Sequence, residues 1–169
     1  MQGFHEIAAT SVDNAMTLIG KQWMLITVKD EVAGRVNAMT ASWGALGVLW
    51  GKNVAVCFVR PQRHTYGLAE KSERFSLAFF KEGYRDALKI CGTKSGRDCD
   101  KLAMAGLTTV TCDGVPVIAE ADFVLICRKI YADDLREESF VDPALLDNYA
   151  AKDYHRVYVC EIEAAYQRD

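Results

Sequence analysis

The chain has 169 residues, half of them hydrophobic and a quarter charged, which fits a single globular domain over residues 1–169, long enough to bury a core. A net charge of −3 and a sequence pI of about 5.6 argue against a general nucleic-acid binder, a class that is usually basic. The apolar runs are too short to span a bilayer, and Met1–Glu6 has no basic region leading into an apolar one. No membrane association is expected, and the location expected is the cytoplasm.

In chain order, Ser11 is placed to cap a short helix from Val12 to Ile19, with Gly20 as its stop. Strands are expected at about 22–29, 36–42 and 54–59, with Asp30–Arg35 as the first hairpin turn. A helix near 64–72 precedes a strand at Phe75–Phe80. Tyr84–Cys91 and Asp98–Ala105 read as helices around a glycine-containing loop. Strand patterns recur at 108–112, 115–118, 121–131 and 154–162, Asp113-Gly114 is a turn signal, and Pro143–Tyr149 reads as a short helix. Strands with few inserted helices do not alternate as a doubly wound sheet would. The fold class expected is mainly β with inserted helices, a closed or partly closed antiparallel barrel.

The six cysteines form no Cys-x-x-Cys pair. Cys57, Cys112, Cys127 and Cys160 lie in apolar strand patterns, where a thiol acts as a small hydrophobe. Cys91 and Cys99 flank the glycine loop with a spacing that supports neither zinc nor a disulfide, so no metal site is assigned.

Three clusters carry chemistry. Asn37-Ala-Met-Thr-Ala-Ser-Trp-Gly-Ala-Leu-Gly47 packs an amide, hydroxyls, a tryptophan and glycines into a few residues after a strand. Those groups suit a flat, hydrogen-bonding ring approached closely by backbone, and equally a polar hairpin with an interface tryptophan. Arg60-Pro-Gln-Arg-His-Thr-Tyr66 places two guanidiniums, an imidazole and a hydroxyl at the mouth of a strand and the start of a helix, where an anion is favoured. Cys91-Gly-Thr-Lys-Ser-Gly-Arg-Asp-Cys-Asp-Lys101 is superficially like a phosphate loop but does not match a Walker A motif, and alone it reads as a surface connection. Residues 60–101 hold ten Lys/Arg against six Asp/Glu, a net of +4, whereas 102–169 hold six against thirteen, a net of −7. Positive charge thus coincides with the two anion-binding candidates.

Taken in order, these clusters resemble the flavin reductase-like proteins of the FMN-binding split-barrel superfamily, close to flavoredoxin. Later pieces are similar too: Gly114–Ala121 and Cys127–Tyr131 look like the family's final hairpin, and Asp153–Ile162 like its closing strand. Cys160 departs from the pattern, where Gly is expected before Glu161-Ile162. The resemblance covers nearly the whole chain and implies an FMN-binding split β-barrel, Greek-key-like and antiparallel. FMN, with FAD the weaker fit, is implied as a non-covalent cofactor, often at a homodimer interface. By motif position, Asn37, Met39, Thr40, Ala41, Ser42 and Trp43 would lie along the isoalloxazine and ribityl chain. Arg60, Arg63, His64 and Thr65 would serve the ribityl and phosphate, and Ser95, Gly96 and Lys101 would close the site from the second loop.

No acid–base residue is assigned, because hydride transfer from a nicotinamide to a flavin needs chiefly ring alignment. His155 is read as structural, with a substrate-facing role as the minority alternative, and Glu120 as a turn anchor or charge partner. No Gly-x-Gly-x-x-Gly or Gly-x-Ser-x-Gly string occurs, which argues against a Rossmann site and a serine hydrolase. The leading expectation is an NAD(P)H-dependent flavin reductase, NAD(P)H binding transiently and reduced flavin passing to an oxygenase or other acceptor. The alternatives are a flavoredoxin-type carrier fed by a redox protein and a non-catalytic flavin-binding module.

Overall fold

The computed structural model describes residues 2–12 and 14–169. Ten strands are formed by β1 (Phe4–Ile7), β2 (Met24–Asp30), β3 (Arg35–Ala41), β4 (Gly44–Leu49), β5 (Lys52–Val59), β6 (Arg74–Phe79), β7 (Thr109–Cys112), β8 (Val115–Ile118), β9 (Phe123–Asp134) and β10 (Arg156–Arg168). The α-helices are α1 (His64–Lys71), α2 (Arg85–Thr93) and α3 (Lys101–Met104), and Pro143–Tyr149 is a 3-10 helix. The domain is mainly β with inserted helices, as its sequence pattern implies.

Local chemistry accounts for the turns. The Asp30 carboxylate accepts from the amides of Val32 and Ala33, and Gly34 takes φ +65°, closing the β2–β3 hairpin. Asp113 and Gly114 both have positive φ, as the two-residue turn between β7 and β8 requires.

The main sheet runs β3-β2-β6-β9-β10-β5-β4, with β1 added to β10, and every pairing is antiparallel. Neighbours such as Leu25 and Ile26, or Leu125 and Ile126, fall in two different cores, one on each face of the sheet. One core is enclosed by the curled sheet; the other is covered by α2, α3 and the β7–β8 hairpin. That double burial is why these strands read as continuous apolar runs instead of alternating ones.

β3 and β4 are consecutive in the chain yet stand at opposite ends of the sheet. Only Ser42 and Trp43 lie between Ala41, paired to Met24, and Gly44, paired to Cys57. Three peptide units reach at most about 11 Å, so the sheet must curl until its ends nearly meet there. Gly44 makes the corner possible: a Cβ would stand 2.8 Å from the Val56 carbonyl oxygen and 3.2 Å from Met24 Cε.

Several expectations need correction. The helix predicted at Val12–Ile19 crosses Asp13, which with Met1 lies outside the described residues. Around it, Ser11 ends a 3-10 turn at Ala9–Ser11 instead of capping a helix, and Gly20 lies within a π-helix, Thr17–Gln22. The predicted strand at 36–42 is followed by β4, which starts inside the Asn37–Gly47 cluster and pairs with β5, so this cluster is no hairpin. Gly114–Ala121 and Cys127–Tyr131 do not form a hairpin together: β8 pairs with β7, and β9 with β6 and β10. The predicted helix at Asp98–Ala105 shrinks to α3, because Asp100 caps it by accepting from the Ala103 amide.

Candidate functional site

Where β3 and β5 fail to pair, the sheet leaves a cleft of about 270 Å³, lined by Met39, Thr40, Ala41, Ser42, Trp43, Phe58, Arg60, Arg63 and His155. β3 is the terminal strand of the sheet, so the edge it turns away from β2 keeps unpaired backbone groups. Trp43 stands 45% exposed at the rim. The cleft therefore offers backbone donors and acceptors along one wall and aromatic rings on the others.

A second pocket of about 170 Å³ shares Arg63 with the first and adds His64, Thr65, Thr93, Lys94, Ser95, Arg97 and Lys101. Among the described residues it has no carboxylate in its lining. α1 begins at its wall, and the amides of His64 and Thr65 make no backbone hydrogen bond among the described residues. Cations, hydroxyls and free amides without a carboxylate form a donor set that matches a phosphate. The pairing of an aromatic-walled cleft with an anion pocket fits a flat ring carrying a phosphorylated tail.

These cations are not idle. The Arg63 guanidinium donates to the carbonyl of Gly92 at 2.7 Å, and Lys101 Nζ donates to the carbonyls of Cys91 at 3.1 Å and Lys94 at 3.3 Å. Both thus sit at the negative end of the α2 dipole. Burial, with no carboxylate partner among the described residues, pushes Lys101 down to about 8. Burial also lowers Arg63, and burial followed by the Arg97 charge lowers His64.

The predicted residues divide into liners and ties. Met39–Trp43, Arg60 and Arg63 line the cleft, and Arg63, His64, Thr65, Ser95 and Lys101 line the anion pocket. Asn37 lines neither: it is buried, and its side-chain nitrogen donates to Thr65 Oγ1 at 2.8 Å. Gly96 lies against it so closely that a Cβ would come 2.1 Å from Asn37 Oδ1 and 3.1 Å from His64 Cδ2. Asn37 and Gly96 instead border a third cavity of about 440 Å³, shared with Lys101. The Thr40 hydroxyl donates to the Leu88 carbonyl at 2.5 Å, docking α2 on β3. Arg60 is held by Asp153 at 2.5 Å and by the Asn148 carbonyl, with its guanidinium 5.1 Å from the Tyr149 ring centre. Glu120 accepts from the Thr108 amide and anchors a turn, as read from sequence.

His155, at 7% exposure, lies against Trp43 at 5.0 Å and Phe58 at 6.3 Å between ring centres, and its Nδ1 meets the Tyr149 hydroxyl at 2.8 Å. Burial, then the Arg60 charge, pushes its imidazole down to about 4, so it is neutral at pH 7. Phe58 in the cleft, Gln62, Thr93, Lys94 and Arg97 in the anion pocket, and Tyr149 and Asp153 beside them are the site residues that sequence reasoning missed. Phe58 had a signal: an aromatic in an unbroken apolar run, immediately before Val59-Arg60, occupies the face that alternation would leave polar.

A family model, the flavin reductase like domain, matches residues 16–169. The chain belongs to the flavin reductase like domain family. Among solved structures, this member of the family is similar to an FMN-binding protein from Thermus thermophilus with bound p-hydroxybenzaldehyde. That pair shows 22% identity and a TM-score of 0.68 over 98% of this chain and 82% of the other. It is similar to the flavoredoxin of Methanosarcina acetivorans, at 20% identity and TM-score 0.68 over 96% and 77%. It is also similar to the Streptomyces globisporus C-1027 NADH:FAD oxidoreductase in complex with NAD and FAD fragments, at 17% identity and TM-score 0.64 over 88% and 74%. At these identities the likeness is one of fold, the split barrel. No curated protein matches the flavin reductase-like chain. No helix among the described residues is long and apolar enough to cross a membrane.

Proposed function

We propose that this protein binds FMN in the cleft and anion pocket and acts as an NAD(P)H-dependent flavin oxidoreductase. The observation that carries the reading is the shared residue Arg63, which joins an aromatic-walled cleft to a phosphate-type pocket that no carboxylate of the described residues lines. In this reading the phosphate takes Arg63, His64, Thr65, Ser95 and Lys101, and the ring lies along Met39–Trp43 with Arg60 and His155 at its border. Asn37 and Gly96 hold the two loops in register beneath it. Bound FMN would supply the redox chemistry, accepting two electrons from a dihydronicotinamide and passing them on. The chain supplies alignment, a water-poor cleft and backbone donors on the unpaired edge of β3. FMN suits the single short anion pocket better than FAD does.

A homodimer belongs to this reading. Strand β4 ends the sheet, and at the end of β4 away from Trp43, Val48, at 74% exposure, Leu49 and Trp50, at 61%, offer an apolar edge. A monomeric mass at micromolar concentration with FMN still bound would reject it. The partner beyond NAD(P)H would be an oxygenase or redox protein; a cytoplasmic location fits that role.

The test is an anaerobic absorbance spectrum with FMN, before and after NAD(P)H. Rapid bleaching of bound flavin supports the reductase. Bound flavin that stays oxidised with both nicotinamides, yet is reduced by a ferredoxin-type donor, supports the second reading, an electron carrier, which the fold shared with flavoredoxin favours. Flavin that binds but is reduced by neither marks a non-catalytic binding module.

A further inference from the structure

The hydroxyl of Tyr149 and Nδ1 of His155 are joined by one hydrogen bond, and its direction decides what His155 presents to the cleft. Tyr149 is buried, and burial raises its phenol above the usual range, so the hydroxyl keeps its proton. Among the described residues that hydroxyl has no other acceptor within reach. If the ring donated from Nδ1, the phenolic proton would be left without a partner in a buried place. If the phenol donates, the hydroxyl and Nδ1 are both satisfied, and the ring proton sits on Nε2. Nε2 has no hydrogen-bond partner among the described residues, yet it is not one of the buried polar atoms lacking one. It therefore meets open space, and the space His155 lines is the cleft.

The pair is packed on several sides. Trp43 and Phe58 press on the imidazole, and Tyr154 stacks on Tyr149 at 5.0 Å with Phe140 at 5.6 Å. Arg60 lies over the Tyr149 ring and is fixed by Asp153. These are the charged groups facing the pair, and they offset each other.

We propose that Tyr149 is a positioning residue: it fixes His155 as the Nε2–H tautomer, so that the cleft presents one neutral N–H donor to a carbonyl oxygen on a flat conjugated ring. Two sources could bring that oxygen, a nicotinamide carboxamide or a conjugated aldehyde. The ligand half of the proposal rests on the flavin reading; the tautomer half does not.

The first experiment is a long-range proton–nitrogen correlation spectrum of 15N-histidine-labelled protein at pH 7 without flavin, with the His155 signals identified by their loss in His155→Gln. The expected result is a neutral ring protonated on Nε2 in the wild type and a mixture of tautomers in Tyr149→Phe, with unchanged circular dichroism. A ring protonated on Nδ1, or a tautomer that Tyr149→Phe leaves as it was, overturns the proposal. Should Tyr149→Phe not fold, a wild-type ring protonated on Nδ1 still overturns the proposal, and the His155→Gln cycle below tests the role of Tyr149. Because flavin is absent, this result is separable from a failure to bind FMN.

The second experiment titrates the FMN-loaded protein with NAD⁺ and, separately, with benzaldehyde. Tyr149→Phe should weaken the probe whose oxygen is recognised by about tenfold, the loss of one well-aligned hydrogen bond. Gln at 155 carries a fixed amide donor and has no tautomer to select, so Tyr149→Phe added to His155→Gln should change affinity less than twofold. Equal losses in both backgrounds would assign Tyr149 a packing role alone and overturn the proposal. Weakening of NAD⁺ or of benzaldehyde distinguishes the two sources; weakening of neither refutes the donor.

Discussion

Asn37, in β3, donates its side-chain amide to the hydroxyl of Thr65, in the first turn of α1, at 2.8 Å, and both groups are buried. The bond ties the strand that walls the cleft to the helix that starts at the anion pocket. Gly96 closes over it from the second loop.

Asn37→Ala leaves the Thr65 hydroxyl buried without its partner and should cost about 1–3 kcal/mol, read as a lower urea midpoint at unchanged slope. Gly96→Ala drives a methyl into Asn37 Oδ1 and should destabilise the wild type more than it destabilises Asn37→Ala. A double-mutant cycle checks this coupling; additive effects would mean the loop moves aside freely.

Arg63→Ala should weaken FMN far more than riboflavin, because only FMN carries the phosphate. The expected loss is about 1.5–3 kcal/mol, measured by flavin fluorescence quenching. Equal weakening of both flavins would put Arg63 away from the phosphate.

At the barrel corner, Gly44→Ala sets a methyl 2.8 Å from the Val56 carbonyl oxygen, a backbone atom that cannot rotate away. It should cost about 1–3 kcal/mol and lower the melting temperature by several degrees. Gly47→Ala, on the same strand, meets no atom within 4 Å and serves as the control.

The neutral His155 gives a pH signature. Its folded pKa, about 4, lies below the ordinary value of 6.5, so the unfolded chain takes up the proton first. The stability it contributes is complete above pH 6.5 and is lost as pH falls towards 4, up to about 3 kcal/mol. Melting temperature should therefore fall more steeply between these pH values in the wild type than in His155→Gln. Parallel curves would mean that the imidazole is protonated as easily folded as unfolded.

Local signals made much of the fold readable. The β7–β8 hairpin was legible because Asp113-Gly114 dictates its turn, and α1 because its helical pattern resumes at His64. Strand β1 was not, since the partner of Phe4 is Arg168, at the other end of the chain. Strand β4 was hidden by Gly44 and Gly47 and by apolar residues that face outward. In the site, the loops announced themselves through charge and glycine, whereas Tyr149 gains meaning only when folding brings it to His155. Asn37 was noticed for its chemistry, but its buried partner is 28 residues away.

The two-residue link at Ser42-Trp43 has a consequence for how the chain can be cut. It joins the ends of the sheet without itself pairing to any strand. A circular permutant opened there would keep every ladder intact and lose only the clasp across the seam. In such a permutant the gap between β3 and β5 would be free to breathe, and ligand affinity would report the clasp's grip directly, separate from the barrel's own stability.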